Sequence, residues 1–185
     1  MQHFFDMGKI SLYNIAFKGL KEGKHEYAFT IDKSFFELFE NSLIDQGNVN
    51  VVLILEKRSL FMRLHIALEG SVQLICDRCL EPYDQPITHK ADLFVKFGET
   101  VSEDGDDVIW ILPEEHQLNV AQVIYEYISL SIPLRHVHPA SGTLESSCDP
   151  DMLEKLDRYT HHESDSDVEP ADERWKELKK LLNNN

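Results

Sequence analysis

Val49-Asn50-Val51-Val52-Leu53-Ile54-Leu55, Leu60-Phe61-Met62-Arg63-Leu64-His65-Ile66-Ala67-Leu68 and Ser71-Val72-Gln73-Leu74-Ile75 are aliphatic-rich runs separated only by Glu56-Lys57-Arg58-Ser59 and Glu69-Gly70. β-Branched and aliphatic residues suit a pleated, half-buried surface, and breaks this short suit tight turns, so the stretch predicts a meander of strands. In the middle run Met62, Leu64, Ile66 and Leu68 alternate with Phe61, Arg63, His65 and Ala67, which sets an oily face against a mixed one.

Working outward, Tyr27, Phe29 and Ile31 continue the period-two pattern, after Ile10, Leu12 and Ile15 and the turn-like Gly19-Leu20-Lys21-Glu22-Gly23. A short helix follows, opening near Asp32 or Ser34, with Glu37 completing a capping box and Phe35, Leu38 and Phe39 on one face. Further strands fit Ile87–Phe97 and Val108–Leu112. Beyond them Asn119 reads as a helix cap with Gln122 at the third position, and Val120, Val123, Ile124, Tyr127 and Ile128 form a buried stripe that Pro133 ends. Asp149-Pro150 is a second helix start, with Leu153 and Leu156 behind it.

No strand–helix–strand rhythm and no internal repeat is present. The expected fold is therefore α+β, a mostly antiparallel sheet of about six or seven strands over residues 9–112, covered by helices near 33–43 and 118–131. The expected organisation is one domain over 1–159, an acidic linker over 160–172 and a short amphipathic helix and tail over 173–185, with Trp175, Leu178 and Leu182 on one stripe. The C-terminal region thus reads as an acidic, partly flexible helical tail.

Composition narrows the function. The chain of 185 residues carries 18 Lys plus Arg against 33 Asp plus Glu, a formal charge of −15, and 42% of its residues are apolar. That apolar content supplies a core and argues against disorder of the whole chain. The acidic balance disfavours non-specific binding to bare nucleic acid, since phosphates reward clustered Lys and Arg. No apolar run approaches the roughly 18 residues of a membrane helix. Met1–Asp6 lacks the order of a secretory signal, and three cysteines make a poor disulfide scaffold, so the expected location is the cytoplasm.

Cys76-Asp77-Arg78-Cys79 carries the sharpest chemistry. Two thiols at this spacing can grip one zinc ion, because the turn brings both sulfurs to one side and aims backbone N–H groups at them. His138 and Cys148 would complete a closed, structural set, with His136 as reserve. Catalytic redox is the competing reading, but it needs a helix start after the second thiol, and Leu80-Glu81-Pro82-Tyr83-Asp84-Gln85-Pro86 is a poor helix. Two ordinary reduced thiols at a strand end are the bland alternative. Phosphate-cradling, nucleophile-elbow and H-E-x-x-H motifs are missing. The acidic stretch Glu99–Asp107 does not follow calcium-loop spacing and reads as a solvated loop. Glu126 reads as solvent-exposed or as a buried partner of Arg135 or Arg78.

Cys76-Asp77-Arg78-Cys79-Leu80-Glu81-Pro82 resembles the C-x-R-C-L-[ED]-P signature of the YceD-like proteins, the bacterial and plastid large ribosomal RNA accumulation proteins. Glu126 ahead of Ile132-Pro133-Leu134 and His138-Pro139, and the ending Asp172-Glu173-Arg174-Trp175-Lys176-Glu177-Leu178, are similar to further segments of that family. In its cysteine-rich members an upstream cysteine falls at His138 and a last one at Cys148, whereas Glu145 stands where another cysteine would. The resemblance implies a non-enzymatic factor supporting accumulation of large-subunit ribosomal RNA, through contact with that RNA or with a basic ribosomal protein. It also supports one structural zinc on Cys76, Cys79, His138 and Cys148, and Arg78, Glu126, Arg135 and Trp175 are the candidate binding residues. The competing class is an enzyme of RNA metabolism, either a thiol oxidoreductase or a metal-dependent nuclease.

Overall fold

Alternation along the central runs decides the architecture. A computed structural model describes residues 10–98, 107–138 and 148–160. It is α+β, with β2 (Gly23–Ile31), β3 (Gly47–Lys57), β4 (Phe61–Ile75), β5 (Pro82–Phe97) and β6 (Val108–Ile111) forming one sheet in that order. A smaller pair joins β1 (Asn14–Ala16) to β7 (Gln117–Asn119). Met62, Leu64, Ile66 and Leu68 are all buried, stacked across the sheet from Val95, Leu55, Leu93, Leu53 and Val51. The mixed face turns to solvent.

Three expectations are corrected. The break at Glu69-Gly70 does not exist, because β4 runs unbroken from Phe61 to Ile75. Gly70 is a point of close approach: a Cβ there would overlap the Asn48 carbonyl oxygen and stand 2.6 Å from Val49 Cα. The helix expected over 33–43 is only α1 (Lys33–Phe36). Asp32 caps it by accepting the Ser34 N–H at 2.9 Å, instead of a box between Ser34 and Glu37, and the chain then tightens into i+3 bonds before Asn41 turns left-handed at φ 57°. The helix expected from residue 118 begins later, as α2 (Ala121–Leu130), because Leu118 is spent pairing with Ile15 in the small sheet. Asn119 still serves the helix start, accepting the Ala121 N–H at 3.0 Å.

One pairing is not antiparallel. β6 lies parallel to β5, with Val108 opposite Phe94 and Ile111 opposite Phe97. Ala121, Ile124 and Ile128 of α2 are buried, and Tyr127 stacks on His89 of β5 at 5.0 Å. An aromatic chain ties the small elements together, from Tyr13 to Phe35 (4.9 Å), Phe35 to Phe39 (5.2 Å) and Phe39 to Tyr125 (4.2 Å).

The chain divides into two compact units, Met1–Cys148 and Asp149–Asn185. The second contains α3 (Pro150–Tyr159), which Asp149 caps through the Asp151 N–H at 2.9 Å and which buries none of its residues. The expected acidic linker, apart from Thr160, and the Trp175 segment lie outside the described residues, as does the acidic stretch 99–106. Among the described residues no helix is long and apolar enough to cross a membrane.

Candidate metal centre

β4 and β5 are the longest strands, and their far ends form a two-stranded arm past the end of β3. Gly47 of β3 pairs with Val72 and Gln46 O still accepts the Gln73 N–H at 2.9 Å, after which β4 and β5 continue as a pair to Ile75 opposite Pro82. Cys76–Glu81 is the turn at the tip of that arm. Its N–H groups fold it inward: Cys76 N–H donates to Glu81 O at 3.0 Å, Leu80 N–H donates to Cys76 O at 2.9 Å, and Arg78 N–H points at Cys76 Sγ at 3.5 Å. Leu80 closes the turn at φ 63°, in a region where the Cβ of an L-residue crowds its own backbone at a cost of about 1–2 kcal/mol. After the turn the chain enters β5 at Pro82, so Cys79 heads no helix and the geometry of a thioredoxin-like thiol pair is not formed.

The segment after α2 supplies the rest. Asp77 N–H donates to His136 O at 2.7 Å, and His136 N–H donates to Asp77 Oδ2 at 2.7 Å. This reciprocal pair clamps the turn to residues 59 positions downstream. The clamp uses the backbone of His136, and it is His138 whose ring joins the thiols. Cys76 Sγ lies 3.8 Å from Cys148 Sγ, while His138 Nδ1 lies 3.6 Å from Cys79 Sγ and 3.5 Å from Cys148 Sγ. All four donor atoms fall within 4.8 Å of one another. Four donors held tetrahedrally at about 2.0–2.3 Å from one ion stand about 3.3–3.8 Å apart. The three pairs at 3.5–3.8 Å match that spacing, and thiols with an imidazole are the donors zinc prefers, so the residues fit such a metal. The three cysteines are buried and unpaired by disulfides, and His138 is half-buried with its ring 5.0 Å from that of Tyr83.

Electrostatics point the same way. Burial pushes the Cys76 thiol up, but the N–H groups of Cys79, Arg78 and His138, together with the His138 ring, outweigh it and bring it to about 6. Burial pushes the Cys148 thiol up, and its thiol neighbours Cys76 and Cys79 raise it further. A cluster that favours one thiolate and penalises the next is relieved by a cation at its centre.

Of the residues expected from the sequence, Cys76, Cys79, His138 and Cys148 are brought together. Arg78 lies in the turn and Arg135 directly precedes the clamped His136. Glu126 is exposed on α2 and accepts the Gln122 side-chain amide at 2.8 Å, so it is not gathered with the four donors and is no buried partner of Arg78 or Arg135. Trp175 lies outside the described residues. Sequence reasoning missed Asp77 as the clamp and Tyr83 as the ring beside His138. Asp77 stood in view between the cysteines, but its partner is a backbone group, which leaves no mark on residue type.

A family model described as Large ribosomal RNA subunit accumulation protein YceD matches residues 64–182. The chain belongs to the YceD family. The match begins within β4 and includes the whole turn and all four donors, so the candidate centre of this YceD protein falls inside the family's shared region. No curated protein and no solved structure matches the chain.

Proposed function

We propose that this YceD protein is a non-enzymatic factor that supports accumulation of large-subunit ribosomal RNA, working in the cytoplasm with one structural zinc held by Cys76, Cys79, His138 and Cys148. The convergence of these four buried or half-buried donors at the tip of the β4–β5 arm carries the reading. A set closed by four protein donors leaves no position for water or substrate, which is the hallmark of a structural site. When bound, the ion supplies a cross-link between the turn and the segment after α2. Three free thiols suit a reducing compartment.

The proposed partner is large-subunit ribosomal RNA or a basic ribosomal protein. Arg58 pairs with Glu56 and Arg63 with Asp92, so these sheet cations are neutralised within the protein, which on the sheet favours a protein partner over phosphates. A chain at −15 attracts basic proteins at long range. The thiol oxidoreductase alternative draws less support, since the thiols head no helix and are buried.

Depletion of the protein in cells tests the proposal. Large-subunit ribosomal RNA should fall relative to small-subunit RNA and recover with the wild-type chain but not with Cys76→Ser. An unchanged ratio would remove the biogenesis role, and a purified protein without zinc would remove the structural ion.

A further inference from the structure

We propose that the rim of the Cys76–Glu81 turn, formed by Arg78, Leu80, Leu134 and Arg135, is a contact surface for single-stranded RNA. The inference rests on the ribosomal RNA reading above and deepens it by naming the surface and the form of RNA.

Placement comes first. The reciprocal bonds between Asp77 and His136 bring two distant segments side by side. Arg78 and Leu80 follow one member of that pair, and Leu134 and Arg135 precede the other. Residues of two chemical kinds thus flank the Asp77–His136 clamp on both segments at the end of the arm.

The apolar pair is held out in water. Leu80 is 64% exposed and Leu134 fully so, with Ile75 beside the turn at 54%. Single exposed leucines need no explanation, but several on the two segments that one clamp joins do. Leu80 is the sharper case, because it also holds φ 63°. Glycine or asparagine would adopt that conformation more easily and would hide no apolar surface from water. A leucine that is both strained and largely exposed is a costly choice for the turn, and such outliers cluster where a function uses them.

Charge selects the occupant. Every other described arginine is ion-paired: Arg58 with Glu56, Arg63 with Asp92 and Arg158 with Glu154. The side chains of Arg78 and Arg135 have no ion-pair or hydrogen-bond partner among the described residues. Asp77 between the cysteines has Oδ2 taken by the His136 N–H, and Glu81 faces solvent. Two guanidinium groups with no side-chain partner among the described residues, on a strongly acidic chain, match a phosphate backbone. The leucines need an open base face, which a duplex does not offer and unstacked bases do. Guanidiniums on phosphates and leucines on bases together describe an unpaired strand.

The test uses the full, zinc-loaded chain and a fluorescently labelled oligouridine RNA, read by anisotropy over a salt series. Arg78→Ala with Arg135→Ala should weaken binding tenfold or more and lower the log–log salt slope by about 1.4, the value for two lost phosphate contacts on a single strand. Leu80→Asn should weaken binding about three- to tenfold, as loss of one apolar contact predicts, while zinc content and thermal midpoint hold or rise. Lys24→Ala with Lys90→Ala removes equal charge from the open sheet face and should leave affinity within about twofold. Equal losses in the two double variants would overturn the proposal, as would a wild-type chain that does not bind the RNA. Rim variants that keep RNA affinity but lose binding to purified basic large-subunit ribosomal proteins would also overturn it, making the rim a protein dock. Depletion separates the two readings: a fall in large-subunit RNA without oligouridine binding removes only the rim, and oligouridine binding without such a fall removes only the biogenesis role.

Discussion

The inner face of the sheet and the tip of the β4–β5 arm are built on opposite principles, although the same two strands run through both. Under the sheet, stability is spread over many apolar side chains, among them Val51, Leu53, Leu55, Met62, Leu64 and Ile66, each buried and each replaceable in kind. At the tip the contacts narrow to four candidate donor atoms and one reciprocal pair of hydrogen bonds. A distributed core degrades by increments when a residue is trimmed. A closed ligand set loses an ion outright when one member goes. The tip can therefore fail while the sheet stands.

The largest effect expected from this contrast is on the ion. Cys76→Ser, or treatment with a strong chelator, should release one equivalent of zinc and remove hydrogen-exchange protection at Asp77 and His136. Amides of β2–β5 should keep theirs. Protection lost uniformly across both regions would show that tip and sheet are one cooperative unit. Next in size is Leu64→Ala, which should lower unfolding free energy by about 2–5 kcal/mol, measured by urea denaturation, with zinc content unchanged. Gly70→Ala should cost about 1–3 kcal/mol through forced strand separation, and an alanine tolerated without loss would mean that β3 and β4 do not approach as described. The smallest effect concerns the open face, where Asp92 meets Arg63 at 2.9 Å and the His65 ring. Burial pushes the Asp92 carboxyl up, but Arg63 and His65 hold it on balance below the ordinary 3.8. A folded value below the unfolded one means this stabilisation is complete above about pH 4 and is lost as pH falls through the folded value. Asp92→Asn should flatten that acid limb of the urea midpoint and change little at neutral pH, and an unaltered limb would show the pair to be energetically silent.

The same contrast explains what the sequence disclosed. The sheet was legible where side-chain type follows position, as in Met62–Leu68, whose alternation predicts the buried face. It was illegible where backbone geometry decides. Gly70 looks like a break because glycine ends many strands, yet here it lets β4 pass close to Asn48. α1 stops at Phe36 although Leu38 and Phe39 keep helical spacing, since periodicity does not record the left-handed Asn41. Nothing in Val108–Ile111 states that it runs parallel to β5, because strand direction depends on the path of the connection. The donor set was readable, thiols and imidazoles being scarce and distinctive. The clamp that aligns it was not.

The order of the donors along the chain has a consequence for synthesis. Cys79 and His138 are separated by 59 residues, and Cys76 and Cys148 by 72. The β4–β5 hairpin can close as soon as it leaves the ribosome, whereas its remaining two donors are not yet made. At about 5–20 residues per second the interval between Cys79 and His138 is about 3–12 s. During that time the nascent chain presents only a two-thiol turn, which binds an ion weakly and stays open to exchange. If the proposed zinc binds, its capture follows closure of the hairpin, because the donor set is complete only once Cys148 has been made.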